Sequence, residues 1–152
     1  MEYKASLDTT AIVITLLVPI IGIFGGLIVV IPILLLMIGT YLYSVNGYIL
    51  TDKLLIIKRP FSKLNKAIML KDIKYAREGT NEDFKGGIRL FANGGFFGFY
   101  GLCTSNNLGR YQLYGTQLKN KLILFMKNEE ILVLTPDDIT MMDAINLGIN
   151  KS

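Results

Sequence analysis

The sequence predicts an N-terminal transmembrane helical hairpin followed by a small, mainly-β barrel closed by one C-terminal α-helix. Three observations carry this. Of the 152 residues 51% are hydrophobic and the mean hydropathy is +0.44, too apolar for an ordinary soluble domain of this length. Positions 9 through 51 form a 43-residue stretch, Thr9 to Thr51, without Asp, Glu, Lys or Arg. After Asn46-Gly47 the long apolar run gives way to short runs, many alternating or β-branched, separated by turn residues.

The anchor is read first. As one straight helix, Ala11 to Tyr43 would be roughly 50 Å long at 1.5 Å per residue, against a hydrocarbon core of ~30 Å. Gly25-Gly26 divides the run, so two arms are expected, at about 8–24 and 27–45, within an anchor of residues 1–45. Each arm holds a proline, Pro19 and Pro32, which membrane helices tolerate. A single long helix with a Gly22/Gly26 face for dimerisation is the lesser alternative. The leader Met-Glu-Tyr-Lys is weakly basic and no small-x-small site follows the run, so cleavage as a signal peptide is not expected.

The remaining residues, 46–152, read as strands: Tyr48–Thr51, Leu54–Arg59, Ala67–Leu70, Ile73–Arg77, Ile88–Ala92, Arg110–Tyr114, Lys121–Lys127 and Ile131–Thr135. Asp52-Lys53, Asn93-Gly94-Gly95 and Asn128-Glu129-Glu130 are the turn signals. Thr135-Pro136-Asp137-Asp138 has the parts of a helix start: a Thr cap, proline at the first position, acids in the first turn. Ile139, Met142 and Ile145 then share one face before Gly148.

Charge sets the orientation. Lys53 to Arg77 holds eight bases (Lys53, Lys58, Arg59, Lys63, Lys66, Lys71, Lys74 and Arg77) and one acid, Asp72. Glu78 to Ser152 holds seven bases and eight acids. Positive charge beside a span stays on the cytoplasmic side, so the β domain is expected in the cytoplasm. A single cysteine, Cys103, agrees with a reducing compartment.

The chain has no histidine, the commonest general base and metal ligand. Triads and His–Cys zinc sites are therefore excluded; no catalytic residue, metal or cofactor is expected. Asp137-Asp138 reads as capping charge, and Cys103 as a small buried hydrophobe. The run Gly94 to Gly101 matches neither phosphate-loop pattern, G-x-x-x-x-G-K-[ST] or G-x-G-x-x-G. What remains is a surface. Lys53, Lys58, Arg59, Lys63 and Lys66 are candidate contacts to anionic phospholipid headgroups, where each base is worth about 1 kcal/mol. Tyr41, Tyr43, Tyr48, Phe96 and Phe97 are candidate membrane-interface aromatics. Topology setting and strand solubility explain the bases equally well. Nucleic acid is not expected, because no recognition motif appears.

Three stretches resemble a known family: Tyr48-Ile49-Leu50-Thr51-Asp52-Lys53-Leu54-Leu55-Ile56 with Ile68-Met69-Leu70-Lys71-Asp72-Ile73; Asn93 to Gly101 through Leu108-Gly109-Arg110-Tyr111; and Ile131 to Asp138. They are similar to bacterial pleckstrin-homology (PH)-like domains carried on short membrane anchors, over roughly Tyr48 to Ile145. The resemblance implies a PH-like small barrel acting as a membrane-tethered binding or scaffolding module. The expected partners are the membrane, an anionic phospholipid, a protein partner or a second copy, and the resemblance implies the inner membrane of a bacterium. It offers no catalytic residues. The alternative is a structural accessory subunit of a membrane transport or secretion complex.

Overall fold

A computed structural model describes residues 1–23 and 26–151. In chain order the elements are β1 (Glu2–Lys4), α1 (Thr9–Ile23), α2 (Leu27–Tyr43), β2 (Gly47–Leu50), β3 (Leu54–Lys58), β4 (Lys66–Met69) and β5 (Ile73–Glu78). There follow β6 (Ile88–Gly95), β7 (Gly98–Ser105), β8 (Gly109–Gly115), β9 (Leu122–Met126), β10 (Ile131–Leu134) and α3 (Met141–Ile149).

The helices correct the anchor prediction. Among the described residues no helix is long and apolar enough to cross a membrane. The charge-free run is not all helix: Gly26 interrupts it, and it ends as strand β2. What is left is 15 residues in α1 and 17 in α2, about 22 and 25 Å at 1.5 Å per residue, against ~30 Å of hydrocarbon. The two helices do fold back on each other. A Cβ on Gly22 would come within 2.8 Å of Ile33 Cδ1, so glycine lets the two helices approach with the Ile33 side chain in this position. Of the division placed at Gly25-Gly26, Gly25 lies outside the described residues, as does Phe24 at the end of the first arm.

The β domain holds two sheets, ordered β1-β2-β3-β4 and β5-β9-β10-β8-β7-β6, with β8 and β10 the parallel pair. Alternation explains the pairing: Leu55 and Ile57 of β3 face inward while Leu54, Ile56 and Lys58 do not. The main core joins Tyr48, Leu50, Leu55, Ile57, Ile68, Leu70, Ile73, Leu122, Leu124, Leu132 and Leu134 with Met141 and Ile145 of α3. A second cluster on the other face of the larger sheet gathers Cys103, Tyr111, Ile123 and Val133.

Four local expectations change. The N-terminus adds strand β1, Glu2–Lys4, pairing antiparallel with β2. Asn93-Gly94-Gly95 ends β6, and the turn falls on Phe96-Phe97, with Phe97 at φ 53. Gly98 to Ser105 is strand β7. Helix α3 begins at Met141, not after Thr135: the buried Thr135 hydroxyl accepts from the Thr116 amide at 3.0 Å. Asp137 instead holds the chain before α1, accepting from the Ser6 amide at 2.9 Å and the Ser6 hydroxyl at 2.5 Å.

Candidate binding surface

Water-exposed apolar side chains are densest on the hairpin. Leu16, Leu17, Ile20, Ile28, Ile31, Leu35 and Ile38 are exposed, with Ile28 89% accessible. Hydrophobic residues occur all round both helices, and such helices are covered by something in their working state. The same fact explains the absence of an amphipathic stripe.

The domain grips the hairpin at its base. Turn Phe96-Phe97 reaches between the two helices: the Phe97 amide donates to Thr15 Oγ1 at 3.2 Å, and the Phe97 ring meets Tyr41 edge-on, centroids 5.2 Å apart. Gly95, at φ 143, makes room for Ile14, whose side chain would lie 2.8 Å from any Cβ there. The Tyr100 hydroxyl donates to the Thr40 carbonyl in the last turn of α2 at 2.7 Å. Burial pushes that hydroxyl up to about 12.

Next to this junction the chain from α2 meets the end of β3, where the Asn46 amide donates to the Lys58 carbonyl at 2.8 Å. Arg59 lays its guanidinium over the Tyr43 ring, 5.0 Å from the centroid. The loop that follows is closed by the Arg59 amide on Asn65 Oδ1 at 2.8 Å and carries Phe61 and Lys63 outward. Tyr41, Tyr43 and Arg59, with the exposed Phe61 and Lys63 of the loop that follows, form a collar on the α2 side of the hairpin's base. Among the described residues Arg59 and Lys63 have no carboxylate within ion-pair distance.

The other candidates disperse. Lys58 is paired with Glu2 at 2.5 Å, and this contact holds the exposed Glu2 carboxyl below its usual range. Lys66 donates to the Tyr114 hydroxyl at 2.9 Å and Gln112 at 3.2 Å, on the face of β8. Lys53 sits in the β2–β3 turn, at the far end of β2 from the collar. Tyr48 is corrected outright. It is 0% exposed, donates to the Tyr114 carbonyl at 2.7 Å and accepts from the Thr135 amide at 3.1 Å. Burial raises its hydroxyl far above the usual tyrosine range. Its place directly after the anchor made it look interfacial, but β2 turns inward. Phe61 was missed, since one aromatic in a loop carries no periodic signal.

Elsewhere there is little reactive chemistry. Among the described residues no group of three His, Cys, Asp or Glu side chains gathers in a way that could hold a metal ion. Burial raises the Cys103 thiol, opposed by Arg89 and Tyr111. Arg77 grips Asp83 through both guanidinium nitrogens, at 2.6 and 2.8 Å, and holds that carboxyl well below the usual carboxylate range.

No curated protein and no solved structure significantly matches the chain. A family model described as a bacterial PH domain matches residues 46–146, which runs from the residue before β2 into α3. Two sheets around one core, ending in a single helix, are the architecture this match implies, and PH-like domains are generally binding modules without catalysis. The chain belongs to the bacterial PH domain family.

Proposed function

We propose that the chain is a binding module docked on the cytoplasmic face of a bacterial membrane. In this reading the hairpin enters the lipid from one side and turns back without crossing. The observation that carries it is the pairing of an all-round apolar hairpin with a collar of Tyr41, Tyr43, Phe61, Arg59 and Lys63 at its base. Aromatic rings and basic side chains are the groups that favour the headgroup layer. Both ends of the hairpin rejoin the domain, α1 through the Asp8 amide on the Thr116 carbonyl at 3.0 Å and α2 through Asn46. At 15 and 17 residues the two helices are shorter than the ~20 residues that a crossing takes. Arg59 and Lys63, unpaired with any described acid, would meet anionic headgroups. No reaction is proposed.

Flotation of the purified full chain with vesicles of neutral or anionic phospholipid tests this. The chain should float with both and prefer the anionic lipid. Arg59→Gln with Lys63→Gln should remove about 2 kcal/mol of that preference, roughly 30-fold. A chain that floats with neither, and instead copurifies with a stoichiometric membrane protein covering the hairpin, would overturn the reading in favour of an accessory subunit.

A further inference from the structure

The end of the domain away from the collar carries a second surface. β2 runs from Gly47, beside the exit of α2, to Leu50, roughly 10 Å further on. α3 runs the same way. Its approach is fixed near the hairpin base by the Asp137 amide on the Lys4 carbonyl at 3.0 Å, and it ends at Ile149. Between the β2–β3 turn and the last turns of α3 lies a half-open groove of about 830 Å³.

Its floor is aliphatic: Leu50, Leu54, Met69, Ala144 and Leu147. Leu147 is 61% exposed and Met69 49% exposed, large apolar surfaces left in water. Its rim is basic, with Lys53, Lys71 and Lys151 against one carboxylate, Asp52, among the described residues. Among the described residues none of these lysines has an ion-pair partner.

We infer that this groove binds an acidic, apolar peptide segment of a protein partner. The segment's aliphatic side chains cover the floor and its carboxylates meet the three lysines. Charge complementarity sets the sign of the partner. The shape selects a peptide. Small-molecule sites enclose their ligand and converge fixed polar groups on it, whereas this groove is open and lined by methionine and lysine stems that repack. Apolar anchors with flanking charge are how extended or helical segments seat in such grooves. A domain docked by its collar turns this groove away from the lipid, so the two surfaces would join a membrane to a protein. The groove stands whether or not the hairpin meets lipid.

The test pans short random peptides displayed on phage against the full chain, with counter-selection on a Lys53→Glu, Lys71→Glu variant. Enriched peptides should combine Asp or Glu with Leu, Ile or Met. Their affinity should fall at least about tenfold in the double variant and in Leu147→Asp, an exposed position whose substitution leaves the core intact; circular dichroism checks that both variants fold. No enrichment, enriched peptides without acidic residues, or equal binding by the groove variants would overturn the inference. The Arg59→Gln, Lys63→Gln variant should bind the peptides like the parent, which separates this result from the membrane reading.

Discussion

Removing one oxygen from Tyr48 should cost the domain more than any surface change. The hydroxyl is buried and makes two hydrogen bonds, to the Tyr114 carbonyl at 2.7 Å and from the Thr135 amide at 3.1 Å. These tie β2 of the smaller sheet to β8 and the end of β10 in the larger. In Tyr48→Phe the ring still fills its place, so no cavity term arises. Two backbone groups lose a partner where water does not reach. Leaving a buried donor or acceptor unsatisfied costs about 1–3 kcal/mol, and the carbonyl retains a second lone pair for sheet bonding, so about 2 kcal/mol is expected. For a chain of 152 residues that is roughly 4–8 °C in Tm. Thermal and urea unfolding of the full chain, followed by circular dichroism, measure it. The same hydroxyl sets an alkaline limit. Its pKa is raised by folding, so the unfolded chain ionises first and stability falls as pH rises above about 10. In Tyr48→Phe that part of the decline should disappear. A loss under about 0.5 kcal/mol would refute the role assigned to these two bonds.

Asp83→Asn should cost about 1–2 kcal/mol at neutral pH by breaking the two-pronged contact with Arg77. Folding depresses the Asp83 pKa, so its contribution is complete above about pH 4 and is lost as pH falls through the folded value; acid titration of wild type and variant should show the two curves converging. Gly101→Ala should destabilise by about 2–4 kcal/mol, because Gly101 lies at φ 130 and an added Cβ would strike the Phe91 carbonyl and Ala92. Gly109→Ala, at φ 69 with open space around it, should cost only about 1 kcal/mol in the same urea titrations. Cys103 is 3% exposed and its thiol is raised by burial, so Ellman's reagent should react with it at the rate of local or global opening. Fast stoichiometric labelling of the folded chain would contradict that placement.

Where neighbours in sequence are also neighbours in the sheet, the fold was legible. β2, β3, β9 and β10 announce themselves by β-branched and aliphatic runs bounded by turn residues, and their antiparallel partners β2–β3 and β9–β10 follow directly in the chain. β1 was not legible, because a three-residue strand has no period and exists only through its pairing with β2. β7 was hidden by its glycines. Gly98 and Gly101 read as turn residues, yet each is needed in a strand where a neighbouring backbone comes too close for a Cβ. The Thr135-Pro136-Asp137 signal failed for a similar reason: Thr135 and Asp137 spend their oxygens on Thr116 and Ser6, partners that only the tertiary fold supplies. The crossing was misjudged because absence of charge sets no helix length: arms at about 8–24 and 27–45 were expected, and the described helices run Thr9–Ile23 and Leu27–Tyr43. Of the surface, the density of bases was plain from the sequence. That it splits into a collar at Arg59 and Lys63 and a groove at Lys53, Lys71 and Lys151 was not, since the split depends on which end of β2 and β3 each base occupies.

The central claim is that lipid covers the hairpin without the chain crossing it. Ile28→Cys in a Cys103→Ser background places one thiol at the exposed start of α2, to be labelled with an environment-sensitive fluorophore and mixed with vesicles. The account predicts a blue-shifted emission quenched by nitroxides on the acyl chains and untouched by aqueous quencher on either side. Quenching by aqueous iodide in the presence of vesicles, from inside or outside, would contradict it.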